Sequence, residues 1–200
     1  MKMNWKQIIF ILTLMIYPFM SMGQNQTFEN IFTKKEQITV NKIINFYDSI
    51  VLSRTNHRYD IRSAYDHYFD SIFPTVIKSG DLSLVAINEE KRIKFLSSLN
   101  QQTLKEIYTI KDSVSYVSHG KLKTKYSPYT LYFNKNGKYA KLLENLSKKN
   151  SFVNEYYAEI KNAGDFTPSN YVMIFTEYKK LNFGDRLQRL VIIINLLVVG

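Results

Sequence analysis

Side chains capable of acid–base chemistry and metal binding gather in the stretch HRYDIRSAYDHYFD, residues 57–70. Histidine and carboxylate groups are common zinc ligands, and histidine can act as a general base near neutral pH. The stretch is therefore a candidate centre for metal-assisted hydrolysis. Its candidate catalytic residues are His57, Asp66, His67 and Asp70.

The spacing within this stretch also fits a purely structural interpretation. A metal-binding helix usually supplies two ligands at positions i and i+4, and no second histidine follows that spacing here. On a helix, Arg62, Asp66 and Asp70 instead lie on one stripe at i, i+4 and i+8. Such a solvated ion-pair stripe stabilises a helix by roughly 0.2–0.5 kcal/mol per pair. We favour this interpretation and keep the hydrolase as the alternative hypothesis.

Basic and aromatic residues are interleaved in a second stretch, residues 121–149. Eight lysines face a single acidic residue, Glu144, and tyrosines and phenylalanine lie between them. Lysines neutralise an anionic polymer or surface, while aromatic rings can stack against it. The candidate anion- or partner-binding residues are Lys121, Lys123, Lys125, Tyr126, Tyr129, Lys135 and Lys138.

This lysine-rich stretch has a structural alternative as well. If it forms strands, Tyr129, Leu131 and Phe133 share one face, so one aromatic set is expected in the core. The lysines would then be an ordinary solvated face. The net charge of the chain, +10, favours anionic partners. Its joint richness in Lys, Asn, Ile, Tyr and Phe is typical of an AT-rich genome, which gives the lysine excess a second explanation.

Other catalytic patterns are lacking in the sequence. The chain has no cysteine, which excludes disulfides, thiolate catalysis and cysteine-ligated metals. It has no G-x-S-x-G elbow and no S-x-x-K pair, and its seven glycines do not cluster into a phosphate-binding loop. We therefore predict neither a cofactor nor a metal site, and we favour a protein that is not an enzyme.

The N-terminal segment has the three-part pattern of a secretory signal. Two lysines precede an apolar core over 8–17, which Pro18 ends, and small residues follow at Ser21 and Gly23. This core is about half of the roughly 20 residues that a spanning helix needs. We predict a cleaved signal over 1–23, a polar and flexible leader over 24–32, and a single domain over 33–200. The chain is expected to be bacterial and exported, periplasmic or secreted, without a membrane span after cleavage and without a nucleic-acid partner.

Apolar residues at helical spacing dominate the first and last thirds of this domain. Thr33 and Glu36 form a predicted capping box for a helix over 34–53. Asp60 is the predicted cap of a second helix, which is expected to end before Pro74. The predicted N-caps of later helices are Asn88, Asn100, Ser151 and Thr167.

The middle of the domain alternates aromatic, β-branched and polar residues and predicts a β-hairpin or meander around 114–137. Asn136-Gly137 is a favoured hairpin turn, because both residue types tolerate positive φ. The residues after this turn fit a helix better than a strand.

The sequence ends with the apolar run DRLQRLVIIINLLVVG. A helix over 186–199 would be about 21 Å long at 1.5 Å per residue, too short to span a bilayer. Asp185 and Gln188 form an acidic variant of the capping box. A helix that is apolar on all sides is a buried one, although the β-branched residues make a central strand the alternative. The predicted fold is mainly α, with six or seven helices and a small β element; α+β is the alternative.

These observations favour an exported, non-enzymatic binding domain that recognises an anionic surface or a protein partner. The metal-assisted hydrolase is one alternative, and a helical protein that neutralises a partner enzyme, as immunity proteins or inhibitors do, is another. The sequence leaves the identity of the partner and the oligomeric state open.

Overall fold

The structure is a computed structural model that describes residues 28–56 and 59–199, without the side chains of residues 116 and 117. The predicted signal over 1–23 and the candidate residue His57 lie outside the described residues.

The described chain is mainly helical with one two-stranded antiparallel sheet, which confirms the predicted fold class. Two short 3-10 turns, Leu82–Leu84 and Tyr178–Lys180, connect longer elements. The helices are α1 (Lys34–Arg54), α2 (Ile61–Ser79), α3 (Glu89–Ser97), α4 (Gln101–Lys105), α5 (Lys138–Ser147), α6 (Ser151–Ala163), α7 (Pro168–Glu177) and α8 (Arg186–Leu196). The strands are β1 (Tyr108–Ser118) and β2 (Lys121–Phe133).

Helix α1 begins at the predicted capping box. The backbone N–H of Thr33 donates to Glu36 Oε2 at 2.7 Å, and that of Glu36 donates to Thr33 Oγ1 at 3.4 Å. Just before the cap, residues 28–31 are helical and Phe32 is 1% exposed. The end of the predicted 24–32 leader therefore packs against the core.

The other predicted caps are confirmed with one shift. Asn88, Asn100 and Thr167 each accept a backbone hydrogen bond at the start of their helices. Ser151 is the first residue of α6 instead of its cap, because Asn150 Oδ1 accepts from the Val153 N–H at 3.1 Å. Each of these hydrogen bonds joins residues three positions apart, so the local sequence is sufficient to predict the cap.

The prediction that the second helix ends before Pro74 is wrong, because α2 continues to Ser79. Proline removes one backbone hydrogen bond, to the carbonyl four residues earlier. Here that carbonyl belongs to Asp70, and both Asp70 and Pro74 are on the exposed side of the helix, where water can hydrate the free oxygen. Phe73 and Val76 on the opposite side are buried. Their packing maintains the helix through the proline.

The β element differs from its prediction in extent and turn. It begins at Tyr108, and its turn is His119-Gly120, where both residues have positive φ, 52° and 72°. That is the backbone of a two-residue type I′ hairpin turn. Asn136-Gly137 makes no hairpin turn: Gly137 is the N-cap of α5, and the following residues are helical as predicted. A Cβ on Gly137 would lie 2.3 Å from the Glu106 carbonyl oxygen, so close packing requires glycine there.

The core is centred on α8, which confirms a buried helix for the apolar C-terminal run. Asp185 caps this helix by accepting from the Leu187 N–H at 2.9 Å, and Gln188 Nε2 donates to the same carboxylate at 3.1 Å. Residues 190–197 are all buried. Within the described ranges, no helix has both the length and the apolar character needed to cross a bilayer.

Candidate functional site

The described part of the 57–70 cluster does not converge on a common point. His67 and Asp70 are exposed and Asp66 is half-buried. Asp70 Oδ1 accepts a hydrogen bond from the Tyr178 hydroxyl and forms an ion pair with Lys179 Nζ at 3.0 Å. Among the described residues, no three histidine, aspartate or glutamate side chains are grouped so that they could hold a metal ion.

The two carboxylates of this cluster have opposite pKa shifts. Burial raises the pKa of Asp66, with the Arg62 charge acting against it. The Tyr178 hydrogen bond and then the Lys179 hydrogen bond lower the pKa of Asp70. Asp70 is therefore held as a carboxylate by two residues of the 3-10 turn that follows α7. Within the described ranges its ion-pair partner is Lys179, and no ion pair joins Arg62 to Asp66.

The second candidate surface lies on a projecting part of the hairpin, residues 111–126, here called the hairpin arm. Apart from residues 116 and 117, its side chains are exposed or half-buried along both strands. The ladder from Ser113–Tyr126 to Ser118–Lys121 pairs six residues of each strand, a length of about 20 Å. The arm is therefore a two-stranded ribbon that no other described part of the chain covers on either face.

The two faces of the arm differ in chemistry because side chains alternate along a strand. Lys121, Lys123 and Lys125 share one face of β2. Leu122 and Tyr126 share the other and are 74% and 73% exposed. In the described ranges, none of the ion pairs includes one of these three lysines. The arm carries four lysines and one aspartate, a net charge of +3 with His119 neutral.

The root of the arm is an irregular stretch of β2 that is fixed to the helical body. Three residues of β2, 127–129, stand opposite Asp112 of β1, so the ladder is interrupted by a bulge. Tyr129 in this bulge has φ +57°, and its carbonyl accepts from Arg92 Nη1 of α3 at 3.1 Å. Arg92 is itself buried, and this burial lowers its pKa. The interaction anchors the arm on α3.

Below the bulge, the hairpin belongs to the core. Leu131 and Phe133 are buried, as expected for one face of the strand. The Phe133 N–H donates a hydrogen bond at 2.7 Å to Oδ1 of Asp165, which lies in the turn between α6 and α7. Tyr129 is half-buried and packs against the same core. Its ring is therefore less accessible than that of Tyr126.

Lys138 has a structural partner. Its Nζ lies 2.6 Å from Glu36 Oε2, so it connects the start of α5 to the capping box of α1. Burial acts to raise the pKa of Glu36, but Lys138 and the Thr33 donors outweigh burial and hold this pKa below its usual value. Lys135 is exposed but lies after the end of β2, outside the arm. The predicted set therefore divides into an arm group, Lys121, Lys123, Lys125 and Tyr126, and three residues outside the arm, Tyr129, Lys135 and Lys138.

Two features of this surface were absent from the sequence-based candidates. Leu122 is 74% exposed, and its position between Lys121 and Lys123 is the alternation that marks a two-faced strand. Arg92 anchors the root from 37 residues away in the sequence. No local pattern connects Arg92 to Tyr129, so only the fold reveals this contact.

Comparison of the chain with known proteins finds no matching protein family, no similar curated protein and no similar solved structure.

Proposed function

We propose that this protein is an exported, non-enzymatic binding domain that uses the hairpin arm to capture a partner with an anionic surface. The observation that carries the proposal is the exposure of the arm on both faces, with Lys121, Lys123 and Lys125 on one and Leu122 and Tyr126 on the other.

The chemistry of the arm suits a protein surface. Lysines on a projecting ribbon attract an acidic surface over several ångströms and accelerate encounter. Tyrosine is frequent among the residues that contribute most to protein–protein binding, because it buries a large area at little cost in side-chain entropy. Leu122 and Tyr126 supply this apolar component, and the lysines supply the charge.

Export is part of this proposal and is supported by the N-terminal pattern alone. It predicts that the protein produced in a bacterial host with its own N-terminus is processed before Gln24. N-terminal sequencing of the processed chain tests this, and an unprocessed chain in the cytoplasm would contradict it.

The binding proposal is tested by reversing the charge of the arm. The triple variant Lys121→Glu, Lys123→Glu, Lys125→Glu should lose capture by immobilised poly-L-glutamate at about 50 mM salt, where surface charges are weakly screened. The thermal midpoint should not change, because all three side chains are exposed and form no ion pair with a described residue.

The matched control places the same change of charge elsewhere. Lys141, Lys148 and Lys149 are also exposed, so their triple change to Glu has an equal effect on net charge. This control should retain most of the capture. Equal loss in both variants would show a general charge effect and contradict the proposal, as would a parallel loss of thermal stability in the arm variant.

A further inference from the structure

An open groove between helices α6 and α7 carries acidic side chains, whereas the hairpin arm carries basic ones. The groove encloses about 510 Å³ and is lined by residues of both helices. Glu155 and Glu159 of α6 contribute carboxylates, and Val172 and Met173 of α7 contribute apolar surface. Val172 is 58% exposed, so the apolar side of the groove is uncovered.

The groove is acidic in a chain that is otherwise basic. The groove is lined by three carboxylates and by no basic residue, whereas the whole chain has a net charge of +10. Glu177 at the end of the groove is paired with Lys180, and Glu159 accepts a hydrogen bond from the Thr167 hydroxyl at 3.3 Å. Glu155 forms no ion pair with a described residue. Two of the carboxylates, Glu155 and Glu159, are therefore available to a cation from outside.

The dimensions of the groove and of the arm correspond. Glu155 and Glu159 are one helical turn apart, about 6 Å along α6 at 1.5 Å per residue. Alternate residues of a strand are about 6.6 Å apart, so successive lysines of the arm have nearly the same spacing. A ribbon that enters the groove by its β2 edge would place two of Lys121, Lys123 and Lys125 toward the two glutamates of α6. Its opposite face would place Leu122 or Tyr126 toward the exposed Val172 of α7.

We propose that the hairpin arm of one copy of this chain docks in the α6–α7 groove of a second copy, and that the exchange is reciprocal. The proposal rests on the proposed function, since it names the partner of the same arm. Each copy then supplies one arm and one groove, so the contact is closed by a two-fold axis, the commonest symmetry of homo-oligomers.

A second copy is required because the two surfaces do not meet within one copy. Leu122, Tyr126 and Val172 are all more than half exposed, so the arm does not cover the groove of its own chain. Direct pairing of two arms edge to edge would bring two ribbons of net charge +3 together, and lysines on an exposed edge oppose such pairing. The acidic groove is the complementary surface that the chain itself provides.

The test is the association state of the purified protein by sedimentation velocity. The wild type should form a concentration-dependent dimer at about 50 mM salt, which weakens at about 500 mM as charges are screened. The groove variant Glu155→Lys, Glu159→Lys should raise the dissociation constant at least about tenfold. The control variant Glu29→Lys, Glu144→Lys makes the same change of charge at exposed sites outside the groove and should still dimerise.

Mixing two variants gives the sharpest outcome. At a concentration where the wild type is dimeric, the arm variant, with Lys121, Lys123 and Lys125 changed to Glu, and the groove variant should each be mainly monomeric. Mixed together they should form a heterodimer, because each arm then meets a groove of opposite charge. A wild type that stays monomeric, a groove variant that dimerises as tightly as the wild type, or a mixture without heterodimer would each overturn the inference. If the arm still binds poly-L-glutamate in that case, the proposed function stands and only the partner is wrong.

Discussion

At the scale of single residues, one buried ion pair connects the first and last helices. Arg189 of α8 reaches Asp48 of α1 with two parallel contacts, Nε to Oδ1 and Nη2 to Oδ2, both at 3.1 Å. Arg189 Nη1 also donates to the Phe183 carbonyl at 2.6 Å, and the Tyr65 hydroxyl donates to Asp48 at 2.7 Å. Every charge in this group therefore has a partner, which buried charges require.

Removal of the Asp48 carboxylate should be strongly destabilising. Asp48→Ala leaves the Arg189 guanidinium buried without a counter-charge, and breaking a buried pair in this way costs about 3 kcal/mol or more. Lys180→Ala is the matched control, because it breaks the exposed Lys180–Glu177 pair and should cost far less, since water and salt screen an exposed pair. Urea unfolding of the two variants measures the difference. Similar losses for both would show that the Asp48 pair contributes no more than a surface contact.

The helix caps are the residues whose roles the sequence predicts most directly. Thr33, Asp60 and Thr167 each bond to a backbone N–H two or three positions later. Nothing outside those few residues is needed for the interaction, so the sequence pattern is sufficient. Asp48 and Arg189 are 141 positions apart. No comparable local signal marks them as partners.

At the scale of elements, strand β2 changes from a solvent-exposed strand to a core strand within its own length. Leu122 on the arm is 74% exposed, whereas Leu131 near the base is 3% exposed. The bulge at 127–129 separates the two parts, and Arg92 fixes it to α3. The same strand therefore has an exposed end, where we propose recognition, and a buried end that packs in the core.

The two leucines of β2 provide an internal comparison. Leu131→Ala should destabilise the protein by about 3 kcal/mol, through lost burial and the cavity left behind. Leu122→Ala should change stability by no more than about 0.5 kcal/mol, since the side chain is already in water. Chemical denaturation monitored by circular dichroism measures both. A large loss for Leu122→Ala would mean that the arm packs against the body in solution.

At the scale of the whole molecule, the fold is organised around α8. The Tyr108 hydroxyl of β1 donates a hydrogen bond to the Ile194 carbonyl at 2.8 Å. Asn195 Nδ2 donates a hydrogen bond to the Tyr156 hydroxyl of α6 at 3.0 Å. Burial is the main cause that raises the pKa of both tyrosines. The last helix thus contacts the hairpin, α6 and, through Arg189, α1.

A chain that ends at Leu187 should not fold cooperatively. It loses most of α8, and each fully buried Leu, Ile or Val side chain contributes roughly 1.5–3 kcal/mol. Residues 190–197 include seven such side chains, together roughly 10–20 kcal/mol, which is as large as the 5–15 kcal/mol or so by which domains are stable. The expected result is a chain without a cooperative thermal transition. A soluble chain that still unfolds cooperatively would show that α8 serves as an anchor for a partner instead of as the core.

The sequence by itself determined the fold class, all but one of the predicted caps and the burial of the C-terminal run, because these depend on interactions within a few residues and on apolar periodicity. It also indicated the arm group of lysines, since strand alternation is local. Only the tertiary structure decided which lysines are free: Lys138 is bound to Glu36, 102 positions away. Packing likewise maintains α2 beyond Pro74. The hairpin turn lies at His119-Gly120 instead of at the predicted Asn136-Gly137. At Pro74 and at Asn136-Gly137, contacts between residues distant in sequence outweighed a weaker local preference for a helix end and for a turn.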